Sequence, residues 1–307
     1  MSLYGRRTLL KFGVLGAAQA ALAQAPGVSK SPANDARRQR IGVATWPFRG
    51  RVIAPKNTER IESQPGFDLA GFAEFVVREF GVPGIEPLDQ HFPSTDTAYM
   101  RSLRASLDKL GARVINIPID EPVDLGSSDA ATRTHAYDVY RQWIEHAVIL
   151  GSPSIRIAVP KCGGPSDIEG PARALVPVAN YAAARNVMVH LENDDPVLGN
   201  AARIVAVLKT ANNPNLRALP DFGNSMMSGD ADFNRRAVAS MFAFPGRIAH
   251  VKDAEQIEGK LHTAELAPLF RIARGAHYTG AYSMESDSHA DPVPDTKHLI
   301  ERTLALL

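Results

Sequence analysis

VMVHLEND (187–194) is an apolar run that stops at carboxylates, and three later stretches repeat its form: LRALPDFGN (216–224), RIAHVKDA (247–254) and GAYSMESD (280–287). Each ends in a residue that can bind a divalent cation: Glu192, Asp221, His250 and Glu285. They recur roughly every thirty residues, the length of one strand-plus-helix unit. Side chains alternate along a strand, so Val189 and Leu191 oppose His190 and Glu192, and Ala249 and Val251 oppose His250 and Lys252. The apolar face needs a covering layer. The polar face needs partners or a ligand, because buried charge is costly when uncompensated.

The same unit extends towards the N-terminus. RIGVATWPF (40–48), GIEPLDQHF (84–92), RVINIPID (113–120) and SIRIAVPK (154–161) supply four more candidate strands. Helical patterns lie between them. DLAGFAEFVVREFG and TDTAYMRSLRASLDKLG carry apolar residues three or four apart, the second with Thr95 or Asp96 as N-cap and Gly111 as stop. Eight alternating units predict a parallel, eight-stranded (β/α)8 TIM barrel. A doubly wound open sheet would carry a glycine-rich first turn, and TWPFRGRVIAPKN after the first strand has none. Ile115, Ile117 and Ile119 are expected on the outer face of the third strand, opposite Asn116 and Asp120, and Ile155, Ile157 and Val159 opposite Arg156 in the fourth. Polar groups pointing inward near strand C-termini predict a site at the mouth where barrel enzymes do their chemistry.

The ends and the composition bound the rest. MSLYGRRTLLKFGVLGAAQAALAQAP pairs Arg6 and Arg7 with an apolar stretch and an Ala23-Gln24-Ala25 cleavage pattern, and it resembles a twin-arginine export signal. The expected organisation is a signal peptide over 1–25, a polar linker over 26–39 and the barrel over 40–307, in a periplasmic or secreted protein. No internal stretch is apolar enough to span a bilayer, so no stable membrane span is expected after cleavage. Net charge is +1, from 34 basic and 33 acidic residues, which argues against nucleic-acid binding. The single cysteine, Cys162, excludes an intrachain disulfide framework.

With HLEND, LPDFGN, AHVKD and SMESD in this order, the chain resembles the xylose-isomerase-like TIM barrels, the sugar isomerase/epimerase superfamily. The resemblance spans residues 40 to 307. It implies one metal held by Glu192, Asp221, His250 and Glu285 on strands five to eight, with Mn²⁺, Co²⁺ or Mg²⁺ usual. The donor set agrees: three carboxylates and one imidazole suit Mn²⁺ or Mg²⁺ better than a structural zinc site, and with the resemblance Mn²⁺ is the expected ion, Co²⁺ or Mg²⁺ the alternatives and Zn²⁺ the less expected. By the same resemblance Glu192 and Glu285 form the catalytic acid–base pair on opposite faces of the substrate. The competing reading of the four residues is a set of buried salt bridges, disfavoured by the shortage of inward Arg and Lys.

Further candidates for substrate contact are Arg156, Lys252, Trp46, Glu86, Asn224 and His289. Arg156 either fixes a substrate oxygen or pairs with Glu86 or Glu192. Trp46, with Phe48, either forms a platform for a sugar ring or packs the barrel mouth. His289 either reaches substrate or lies in a solvated loop. Asp253 is expected to orient its neighbours, and His190 to be a hydrogen-bonded core residue. Many relatives have His where this chain has Asn224. The expected activity is that of an exported, metal-dependent sugar isomerase or epimerase working through an enediolate on a small-molecule carbohydrate. The alternatives are a 3-keto-glycoside lyase working by β-elimination on the same site, and a non-catalytic sugar-binding barrel. Homo-oligomerisation is left open by the sequence.

Overall fold

The computed structural model describes residues 36–307, apart from 198, 229, 258 and 288–290. The predicted signal peptide and His289 lie outside the described residues. At the start of the described chain, Arg38–Arg40 form a 3-10 turn. Arg38 donates to the Phe80 carbonyl at 3.1 Å, so the end of the segment read as a linker packs on the barrel, and Arg40, at the barrel's start, donates to that of Gly280 at 3.1 Å.

The strands follow the predicted order. They are β1 (Ile41–Ala44), β2 (Gly84–Glu86), β3 (Arg113–Val114), β4 (Ile117–Ile119), β5 (Ser154–Ile157), β6 (Met188–Glu192), β7 (Leu216–Leu219) and β8 (Ile248–Val251). A hairpin, β9 (Ala254–Ile257) and β10 (Lys260–Thr263), precedes the last barrel strand, β11 (Ala281–Met284). All barrel pairings are parallel, and β1 pairs with β11 on one side and β2 on the other. The seam between β7 and β8 is closed by Gly246 N–H donating to Ala218 O at 2.9 Å and His250 N–H to Pro220 O at 3.1 Å. β3 and β4 are two parts of one barrel strand, so the cylinder has eight staves.

Helices α1 (Leu69–Phe80), α2 (Thr97–Leu110), α3 (Ala130–Leu150), α4 (Glu169–Ala183), α5 (Ala201–Ala211), α6 (Ala231–Met241), α7 (Leu266–Gly275) and α8 (Pro292–Leu306) surround it. Their ends are written in the sequence. Asp68 accepts from the Gly71 N–H to cap α1, and Asp129 from the Thr132 N–H to cap α3. Asp96 is the N-cap residue of α2, and Gly111 ends it at φ +66°. That left-handed position carries no steric penalty for glycine. Ile41, Val43, Ile155, Val189, Leu191 and Val251 pack outward against the helices in one continuous core.

Two expectations fail, for physical reasons. The strands are shorter than their apolar runs: Pro87 follows β2 directly, Asp89–His91 turn as a 3-10 helix, and Trp46–Arg51 do the same after β1. Ile115 does not share the outer face with Ile117 and Ile119. It lies inside the barrel in a small cluster with Leu219 and Ile248, apart from the main core. Room for it comes from Gly42 and Gly84, where an added Cβ would sit 2.3 Å and 3.1 Å from Ile115 side-chain atoms. The strand breaks between Val114 and Ile117, so strict alternation is lost, and Ile115 and Asn116 both turn inward.

Candidate metal centre

Glu192 is the last residue of β6, Asp221 follows β7 by two residues, His250 lies in β8, and Glu285 comes directly after β11. The parallel barrel brings these four C-terminal ends to one point. One ligand atom from each residue lies within 4.8 Å of the others. His250 Nδ1 is 2.8 Å from Glu192 Oε1, 3.0 Å from Glu285 Oε2 and 3.8 Å from Asp221 Oδ2. Local hydrogen bonds set Asp221. Its N–H donates to Asn193 Oδ1 at 2.8 Å, and its Oδ1 accepts from the N–H groups of Gly223 and Asn224 at 2.7 and 2.6 Å.

Asp221 Oδ2 is buried and has no hydrogen-bond partner. A buried carboxylate oxygen without a donor is costly, and a cation would satisfy it. Burial, followed by the Glu192 and Glu285 charges, raises the Asp221 carboxyl to about 7 although Lys252 opposes this. Burial alone would lower the His250 imidazole. The carboxylates of Glu192, Glu285 and Glu86 overcome that and hold it well above the ordinary histidine value. Protons thus occupy the place that a divalent cation would take. Three hard oxygen donors and one imidazole fit such an ion, and no cysteine joins them.

A prediction follows from the sign of these shifts. A cation needs Asp221 ionised and the Nδ1 lone pair of His250 free, so it must displace protons from both. At and below about pH 7, where Asp221 also holds a proton, affinity is expected to fall by about tenfold per pH unit for each proton displaced. Mn²⁺ titration calorimetry in buffers of different ionisation enthalpy checks this. An affinity independent of pH, with no proton release, contradicts it.

A cavity of about 290 Å³ opens beside the cluster and is lined by Arg156, Lys252, Asn224, Trp46 and Glu86 among others. Arg156 pairs with Glu192 Oε2 at 2.9 Å and with Asp120, and not with Glu86. Replacing this buried arginine by alanine removes the ion-pair partner of Glu192 Oε2, so R156A is expected to lose about 3 kcal/mol of stability. Urea unfolding measures it, and an unchanged midpoint contradicts it. Lys252 Nζ donates to Asn224 Oδ1 at 2.8 Å and lies 3.6 Å from Glu285 and 3.9 Å from Glu255. Burial would strip its proton. The neighbouring carboxylates, Asp221 and Glu285 foremost, keep it an ammonium. Asn224 Nδ2 in turn donates to Glu192 Oε1 at 3.3 Å.

Trp46 lines the cavity, with its Nε1–H donating to Asp287 Oδ2 at 3.2 Å and the Arg49 guanidinium 4.4 Å from its ring centre. Phe48 does not join it: it is 1% exposed and packs on Phe72 and Phe75 in the core. Glu86 lies on the cavity floor, bonded to His250 Nε2 at 3.0 Å and to Asn116 Nδ2 at 2.8 Å. Asp253 turns away to Ser286 and Arg302. His190 is a core residue whose Nε2 accepts from the Arg247 N–H at 3.1 Å.

The cavity also exposes Asp120, which parity places on the inner face, and Asp194, Glu255 and Asp287, which were not singled out from sequence. Parity contained a signal for two of these three. Asp194 and Asp287 stand two residues beyond Glu192 and Glu285, so each continues the inward face. Glu255 arrives on the hairpin, which no apolar run announces.

The sequence model of the xylose isomerase-like TIM barrel family matches residues 76–306. The structure of an L-ribulose 3-epimerase resembles the chain with a TM-score of 0.65 at 20% identity, covering 87% of this chain and 95% of that one. A xylose isomerase-like TIM barrel protein from Mycobacterium smegmatis, in complex with magnesium, gives 0.64 at 17% identity over 88% and 98% of the two chains. The 3-keto-D-glucoside 4-epimerase of E. coli gives 0.62 at 15% identity over 87% and 99%. No curated protein matches the sequence. At these identities the likeness establishes the fold.

Proposed function

Because the chain belongs to the xylose isomerase-like TIM barrel family, we propose that it is a divalent-metal-dependent sugar isomerase or epimerase that removes a proton α to a carbonyl. The observation that carries this reading is the convergence of Glu192, Asp221, His250 and Glu285 at the barrel mouth, beside a polar cavity. The names of two structural neighbours, an L-ribulose 3-epimerase and a 3-keto-D-glucoside 4-epimerase, agree with it.

These four residues would hold the ion, with Mn²⁺ the best match and Mg²⁺ or Co²⁺ acceptable. When bound, such an ion supplies Lewis-acid polarisation of a carbonyl. The chain supplies the rest. One of Glu192 and Glu285 takes the α-proton, and the other returns one from the opposite face. The Lys252 ammonium, held by Asn224, offers positive charge to the enediolate oxygen. Arg156 holds Glu192 ionised and orients it. Trp46, braced by Arg49 and Asp287, forms part of the wall against which a sugar ring would rest. The twin-arginine-like start of the sequence supports export to the periplasm or beyond.

A second reading has one observation in its favour. Asp120 and Asp194 at the cavity wall are carboxylates additional to the acid–base pair. Asp194, whose carboxyl is raised to about 7 chiefly by burial, is a proton donor for a leaving group, which would turn the same carbanion towards β-elimination of a 3-keto-glycoside. Proton NMR of the Mn²⁺-loaded protein acting on ketoses and 3-keto-glycosides, recorded after the ion is removed, separates the readings. An epimer or isomer supports the first; an unsaturated product with a freed aglycone supports the second. No product from any of these substrates, with full metal occupancy, overturns both.

A further inference from the structure

Glu86 is the last residue of β2 and reaches across the barrel interior to β8. Its carboxylate is 1% exposed. The same oxygen, Oε1, meets His250 Nε2 at 3.0 Å and Asn116 Nδ2 at 2.8 Å. Asn116 is itself anchored, because its Oδ1 accepts from Ser154 Oγ at 2.7 Å. The chain of contacts therefore runs Ser154, Asn116, Glu86, His250, and it ends where His250 Nδ1 faces Glu192 and Glu285. Asn116 faces inward as strand parity predicts, and there it completes the chain.

We propose that Glu86 is the positioning residue of the metal centre: its carboxylate accepts the Nε2–H of His250 and so fixes the ring orientation and tautomer, leaving Nδ1 as the nitrogen aimed at the cation. This rests on the metal-dependent reading above. An imidazole has two ring nitrogens, and the bond made by one decides which is free to ligate. Partners of this kind are worth 10- to 100-fold in metal affinity in general. Glu86 touches neither the cation nor the substrate in this role. Asn116 and Ser154 fix the carboxylate, and the carboxylate fixes the ring.

The test uses Mn²⁺ alone, with free ion measured by electron paramagnetic resonance. Glu86→Ala is expected to weaken binding by about 10- to 100-fold. Glu86→Gln keeps an acceptor oxygen and is expected to recover most of that loss. In Mg²⁺-loaded wild type labelled with ¹⁵N-histidine, His250 is expected to show a protonated Nε2. Glu86→Ala binding Mn²⁺ as tightly as wild type, with native circular dichroism, overturns the proposal. So does an Nε2 without its proton in the wild-type spectrum, a result that stands even if the alanine variant fails to fold. Wild type that binds no Mn²⁺ removes the metal-dependent reading itself and the role of Glu86 with it. Tight wild-type binding with an indifferent Glu86→Ala removes only the role of Glu86.

Discussion

Glu285→Gln is expected to lower the rate of α-proton exchange by about 10³-fold, within the range that a positioned acid or base contributes. The substitution preserves shape and one oxygen, so the barrel should fold unchanged. It removes the charge that lies 3.0 Å from His250 Nδ1 and 3.6 Å from Lys252 Nζ. Burial would otherwise favour the neutral acid. His250, Lys252 and the hydrogen bond from His250 keep the Glu285 carboxyl below its ordinary value, so it enters the reaction as a base. Metal content must be measured alongside, because Glu285 also serves the ion. A variant with full occupancy and a thousandfold slower exchange supports the base role. Full occupancy with wild-type exchange removes Glu285 from the chemistry and leaves Glu192 as the sole candidate.

The second large effect is expected on removing the ion. Chelation should abolish turnover and also lower the unfolding temperature. A ligand at about a thousand times its dissociation constant stabilises the folded state by about 4 kcal/mol. For a domain of this size that corresponds to roughly 10 °C. The stabilisation arises because Glu192, Asp221 and Glu285 crowd one buried point, and the only cations touching them are Arg156, Lys252 and a protonated His250 among the described residues. Thermal unfolding with and without Mn²⁺, after exhaustive chelation, reads the shift. Coincident transitions contradict a resident metal. Addition of Mn²⁺ should restore both stability and activity.

The barrel was legible because its signals are local and repeated. Each unit carries an apolar run and a helix of period near 3.6, and most carry a glycine or aspartate at a helix boundary, as Asp68 and Gly81 show for α1. The four mouth residues were legible because parity and position at a strand end both mark them. What escaped depends on distant packing. Ile115 faces inward only because Gly42 and Gly84 leave space on two other strands. Glu86 had the inward parity, but only the folded chain pairs it with His250, 164 residues away. Phe48 joined the core because the turn after β1 directs it beneath α1. The hairpin carrying Glu255 reads AEQIE before Gly259 and KLHT after it, with no apolar alternation to announce a strand.

The central claim is that this site removes a proton α to a carbonyl with the help of a divalent cation. Deuterium uptake from D₂O tests it most directly. Mn²⁺-loaded protein is incubated with a panel of ketoses and 3-keto-glycosides, beside an identical sample stripped with chelator, and carbon-bound deuterium is followed by mass spectrometry. The account predicts uptake at a single α-carbon of at least one substrate in the loaded sample, and none above background in the stripped one. Equal uptake in both samples, or none from any substrate at full metal occupancy, contradicts it.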